Sequence, residues 1–139
     1  MKKTLLFVLA LIASGCGPPD GPYETYYENG QLESKGTYAA GELDGTLEHY
    51  RENGQLRAKG TYVAGELDGP AELYNENGQL EWKGTHVAGM THGPVEIYHE
   101  NGQLESKGNL NMGYPCGEWF EDGETVTYDP CPPDLADGN

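Results

Sequence analysis

The sequence predicts an all-β fold, a single elongated antiparallel β-meander built from 24-residue β-hairpin repeats. Three observations carry that prediction. ENGQL recurs at 28, 52, 76 and 100, which makes repeat architecture the first explanation to test. Each recurrence contains Asn-Gly, a pair that tolerates the positive φ of a tight hairpin turn. Glycine supplies 21 of 139 residues, roughly twice the usual ~7 %, a density that disfavours helix.

The N-terminus is read first. Lys2 and Lys3 precede the apolar run Leu5 to Ile12, which is too short to span a bilayer, and then Ala13, Ser14 and Gly15. Residues 1–15 are therefore expected to be a cleaved export signal. A-S-G-C resembles the lipobox of bacterial lipoproteins, which makes Cys16 the expected site of acylation; Ala13 stands where such motifs more often carry leucine. Acyl chains contribute ~0.8 kcal/mol per buried CH₂, so attachment needs no apolar protein surface. Residues 16–19 would form a short tether stiffened by Pro18 and Pro19. Gly17 after the cysteine favours the outer membrane if the host is Gram-negative.

Residues 20–115 divide into units 20–43, 44–67, 68–91 and 92–115, followed by a divergent cap and tail at 116–139. With a two-residue type I′ turn at Asn53-Gly54, Glu52 faces Gln55, Tyr50 faces Arg57, Glu48 faces Lys59 and Leu47 faces Gly60. Leu47, His49, Leu56, Ala58 and Tyr62 then share the face expected to be buried, and Glu48, Tyr50, Arg57, Lys59 and Thr61 share the other. The same counting sets Glu24 against Lys35, Glu72 against Lys83 and Glu96 against Lys107. A three-residue loop with a glycine bulge is the alternative, and it moves Tyr50 towards Leu56 and the tyrosines towards the apolar face. Ten strands are expected, near 22–27, 32–38, 46–51, 56–62, 70–75, 80–86, 94–99, 104–110, 117–121 and 124–128. One sheet has a thin core, so twist or curvature is expected to bring Leu32, Leu56, Leu80 and Leu104 towards Tyr38, Tyr62, Trp82 and Ile97.

The segment G-T-Y-V-A-G-E-L-D-G at 60–69 resembles the MORN repeat, specifically the bacterial variant of proteins labelled YwqK-family antitoxins. The pattern of a glycine, an aromatic and two further glycines falls on Gly36, Tyr38, Gly41 and Gly45, and on Gly60, Tyr62, Gly65 and Gly69. His86 and Leu110 depart from it in the later units. The resemblance covers residues 20 to about 115 and implies an extended meander used for protein association, sometimes in membrane-associated scaffolds.

Composition limits the chemistry. With 23 acidic against 8 basic side chains the formal charge is −15, a field opposite to the basic footprint that nucleic-acid binding requires. No nucleophile, base and orienting residue fall into a catalytic pattern, and no phosphate-binding loop is present, so a non-enzyme without cofactor is expected. His86, His92 and His99 lack metal-ligand spacing, and Glu42 with Asp44 or Glu66 with Asp68 lack a calcium-loop pattern. Cys116 and Cys131 are the expected disulfide of an exported protein, with free thiols or metal binding as alternatives. Its closure would fold residues 129–131 over the last hairpin and blunt a sheet edge. Tyr26, Tyr50, Tyr74 and Tyr98 recur at one phase and are the candidate partner-binding residues, although packing against neighbouring Glu and Lys stems explains them too.

These features lead to an exported, lipid-anchored scaffold of the bacterial cell envelope that presents an acidic sheet to another envelope protein. A carbohydrate or cell-wall binding module is the second expectation. Immunity against a toxin acting in the envelope is the third.

Overall fold

The computed structural model describes residues 17–136. Its strands are β1 (Gly21–Tyr26), β2 (Leu32–Ala39), β3 (Glu42–Leu43), β4 (Gly45–Tyr50), β5 (Leu56–Val63), β6 (Glu66–Tyr74), β7 (Leu80–Val87), β8 (Met90–Tyr98), β9 (Leu104–Asn111), β10 (Tyr114–Glu121) and β11 (Glu124–Thr127). One helical turn, α1 (Pro133–Ala136), follows. All strands form a single antiparallel sheet in chain order, with β3 off the main path beside β2. β3 and β4 together hold the place that β6 and β8 fill without interruption. The meander is as predicted.

The turns differ from the prediction. Arg51 N donates to Gln55 O and Gly54 N donates to Arg51 O, both at 2.8 Å, so Glu52, Asn53 and Gly54 make a three-residue loop. Gly54 alone takes positive φ, 84°, while the Asn53 Oδ1 accepts the Gln55 N–H at 3.0 Å. An added loop residue would slip the strand by one and exchange its faces. A bulge between the pairs His49↔Ala58 and Tyr50↔Leu56 absorbs that slip. Tyr50 therefore faces Leu56 rather than Arg57, while Glu48↔Lys59 and Leu47↔Gly60 stand as counted.

The two-residue turns occupy the opposite edge. Ala64 and Gly65 have φ of 48° and 81°, the double positive φ of a type I′ turn. Ala40-Gly41, Ala88-Gly89, Met112-Gly113 and Asp122-Gly123 repeat the pattern. Because these turns are tight, β6 begins at Glu66 and β8 at Met90, about four residues earlier than expected. Their amides also join successive repeats, with Gly65 N donating to Leu43 O at 2.8 Å and Gly89 N to Leu67 O at 2.9 Å.

Burial follows a line across the sheet. Leu47, Ala71 and Val95 alternate in register with Gly60, Gly84 and Gly108. Val95 is 2 % exposed and Leu47 6 %. A Cβ at Gly84 would stand 2.7 Å from Trp82 Cζ2, and one at Gly108 would stand 2.3 Å from Trp119 Cδ2, so rings occupy the space a side chain would need. The leucine clusters expected from sequence do not form the core. Leu32, Leu56, Leu80 and Leu104 pair with Tyr26, Tyr50, Tyr74 and Tyr98 near the loops. A single layer buries only what its own neighbouring side chains cover, and the glycine row lets them lie closest.

At the C-terminal end, Tyr128 N donates to Gly117 O and Gly117 N donates to Asp129 O, both at 2.8 Å, extending the pairing of β11 with β10. The tail then turns inward, and Asp134 Oδ2 lies 3.1 Å from His92 Nε2 in β8. Residues 129–131 thus lie along β10, where Cys131 adjoins Cys116, and the segment beyond them reaches back to β8.

Candidate functional site

The backbone register builds the charged face. Glu24, Lys35, Glu48, Lys59, Glu72, Lys83, Glu96 and Lys107 form one transverse row of alternating sign. Ion pairs close between Lys35 and Glu48 at 2.7 Å and between Lys83 and Glu96 at 2.8 Å. Both join neighbouring hairpins, whereas the sequence counting recognises only pairs within a hairpin. Applying the same register across the second turn would have found them.

The tyrosine row belongs to this face. Tyr50 and Tyr74 donate their hydroxyls to Glu48 and Glu72 at 2.7 Å. Tyr26 and Tyr98 do the same to Glu24 and Glu96. The three-residue loop therefore brings Tyr50 to Leu56 without moving its hydroxyl off the charged side. Lys35 Nζ stands 5.7 Å from the Tyr50 ring centroid, in cation–π reach. The hydrogen bond to Glu72 pushes the Tyr74 phenol up to about 12, so it remains a donor. Lys35, then Tyr50, hold the Glu48 carboxyl below its ordinary value; Lys83, then Tyr98, act likewise on Glu96. The resulting surface offers apolar rings whose polar tips are already engaged.

The other face contains a groove of about 460 Å³. Ala58, Gly60 and Ala71 are its small residues, and Leu47, Tyr62, Leu67, Leu73, Trp82 and Ile97 line it with apolar bulk. His86 also lines it, with its Nε2 3.2 Å from Thr91 Oγ1 and its ring centroid 5.6 Å from that of Trp82. Burial pushes the His86 imidazole below its usual pKa. Sequence periodicity does not reveal this groove; the signal was the adjacency of small residues on β5 and β6, legible only with the register known.

Other candidates fall apart spatially. His92 meets Asp134, while His99 meets Asp122 at 3.2 Å and Glu105 at 3.4 Å. The Cys116 and Cys131 sulfurs stand 2.08 Å apart. Cys16 and the signal segment 1–15 lie outside the described residues.

Four segments, residues 19–40, 43–64, 67–86 and 91–111, match the MORN repeat variant. The chain belongs to that family. Its MORN matches end at or just before the Ala-Gly or Met-Gly turns, so each repeat is a hairpin closed by the three-residue loop. The MORN repeats form a repeat scaffold. No curated protein matches the chain. Among solved structures, a TarM mutant from S. aureus in complex with Fondaparinux, alpha-GlcNAc-glycerol and UDP is 9 % identical at a TM-score of 0.35, covering 77 % of this chain and 19 % of that one. A second TarM structure is 10 % identical at a TM-score of 0.35, covering 78 % and 20 %. The GtfA/B complex bound to UDP and GlcNAc is 15 % identical at 0.34, covering 90 % and 26 %. Likenesses of that size carry no argument about this chain.

Proposed function

We propose that this MORN-repeat chain is a non-catalytic, lipid-anchored scaffold that binds another protein of the bacterial cell envelope. The observation that carries the binding reading is the regular row of Tyr26, Tyr50, Tyr74 and Tyr98, whose hydroxyls are held by glutamates beside alternating charges. Amphipathic rings within a polar surround suit protein recognition. The export reading is supported by Lys2, Lys3, the apolar run and Cys16, and a disulfide between Cys116 and Cys131, whose sulfurs adjoin, would suit the same compartment.

Two experiments test the halves separately. Cys16→Ser should release the protein from membranes or leave its signal uncleaved; unchanged attachment, with no lipid mass on the mature wild-type N-terminus, would sink the anchor. Tyr50→Ser with Tyr74→Ser should weaken capture of an envelope protein while circular dichroism and melting stay close to wild type. Full capture by that variant would remove the rings as an essential contact.

A further inference from the structure

On the edge of the three-residue loops, one side chain per repeat can reach the following hairpin. Tyr27 Oη donates to Tyr50 O and Arg51 Nη2 donates to Tyr74 O, each at 2.7 Å. Asn75 stands at the same phase one repeat later but is shorter, and it folds back on its own loop. Its Oδ1 accepts the N–H groups of Asn77 at 2.9 Å and Gln79 at 3.0 Å. That use of the oxygen fixes the amide orientation and makes Nδ2 a donor. Among the described residues this Nδ2 has no partner, although Asn75 is only 8 % exposed. Arg51 Nε is likewise buried and unpartnered. Where the repeat contact is broken, a pocket of about 400 Å³ opens between Arg51, Asn75, Glu76, Glu81 and Glu100. Glu81 also lines the apolar groove that holds Trp82, so pocket and groove adjoin at this side chain.

The ligand chemistry follows from what each part lacks. Two buried N–H groups call for an acceptor, because an unsatisfied buried donor is destabilising by about 1–3 kcal/mol. Three carboxylates call for a cation, and the formal charge of −15 draws cations towards the surface. A simple anion would meet the carboxylates, and a bare metal ion would leave the two N–H groups without an acceptor. The adjoining groove accepts apolar bulk. We propose that pocket and groove together bind a basic peptide segment: a Lys or Arg side chain lies among Glu76, Glu81 and Glu100, a peptide carbonyl accepts from Asn75 and Arg51, and a neighbouring bulky apolar side chain enters the groove beside Trp82. The site contains none of the four row tyrosines. It rests on the protein-binding reading only in taking a polypeptide as ligand.

Trp82 and Trp119 are the two tryptophans of the chain, so indole N–H resonances report the groove and an internal control together. The ¹⁵N-labelled whole protein is titrated with Ac-GKFKG-NH₂, Ac-GEFEG-NH₂, Ac-GKSKG-NH₂ and chitotetraose. The first peptide should shift Trp82 saturably and leave Trp119 unmoved. Glu76→Gln, Glu81→Gln and Glu100→Gln combined should weaken that binding about tenfold, the sum of three partly screened ion pairs. Asn75→Tyr, which fills the pocket in the manner of Tyr27, should abolish it. The Tyr50→Ser, Tyr74→Ser variant should bind the first peptide like wild type even where it has lost the envelope partner. No Trp82 shift, equal binding of the acidic or serine peptide, preference for chitotetraose, or undiminished binding to the triple variant would each overturn the assignment.

Discussion

Gly108→Ala tests the principle that rings packed on glycine form the core. A Cβ there would lie 2.3, 2.4 and 2.5 Å from Trp119 Cδ2, Cε2 and Cγ, against an ordinary carbon separation of about 3.5–4.0 Å. The ring must therefore move by more than about 1 Å. It is poorly placed to do so: Trp119 is 7 % exposed and donates Nε1–H to Asn109 O at 3.0 Å. Overpacking accounts for ~1–3 kcal/mol and the weakened hydrogen bond for ~1 kcal/mol, while alanine recovers ~0.5–1 kcal/mol of backbone entropy at this extended position. The net loss is about 1–3.5 kcal/mol, a fall in Tm of roughly 3–14 °C for a chain of this size. Gly60→Ala is the internal comparison, because its nearest obstacle at 2.7 Å is Leu67 Cδ1, the end of a flexible side chain. It should lose less than about 1.5 kcal/mol. Both variants are melted by circular dichroism, and Trp119 fluorescence is followed in a Trp82→Phe background. Gly108→Ala melting within about 2 °C of its parent with unchanged fluorescence, or Gly60→Ala losing as much, would refute the reasoning.

The remaining predictions concern turns, charge and cysteines. Ala64 sits at φ 48°, so Ala64→Asn should raise the urea midpoint by the equivalent of ~0.5–1 kcal/mol without altering the m-value. Glu48 is held below its ordinary 4.5, first by Lys35 and then by Tyr50. A depressed folded-state value means the stabilisation is complete above about 4.5 and disappears as pH falls through the folded value. Lys35→Met should therefore differ from wild type by under ~1 kcal/mol at neutral pH and converge with it in acid; a difference that stays flat with pH would contradict the ion-pair account. Cys116→Ser with Cys131→Ser should lower stability by up to ~3 kcal/mol if the pair is oxidised across its separation of 15 residues. Intact mass before and after alkylation reports the oxidation state directly.

Much of the fold is local and therefore legible in the residues themselves. The 24-residue period, the hairpin order and the Glu48↔Lys59 register follow from recurrence and strand parity, which need no knowledge of distant contacts. Turn chemistry was ambiguous because Asn-Gly serves both a type I′ turn and a three-residue loop, while Ala64-Gly65 carries no strong type I′ signal and is forced into positive φ by its strands. The candidate sites divide along the same line. The phase of Tyr26, Tyr50, Tyr74 and Tyr98 is written in the sequence, but their carboxylate partners depend on which way each strand turns its side chains. Sequence determined the repeat, its charge and the glycines that allow close approach. Tertiary structure alone decided that Trp82 and Trp119 lie over Gly84 and Gly108, and that Asn75 leaves a pocket open beside an apolar groove. The physical reason is that these outcomes depend on side-chain reach across strands, a distance no one-dimensional spacing contains.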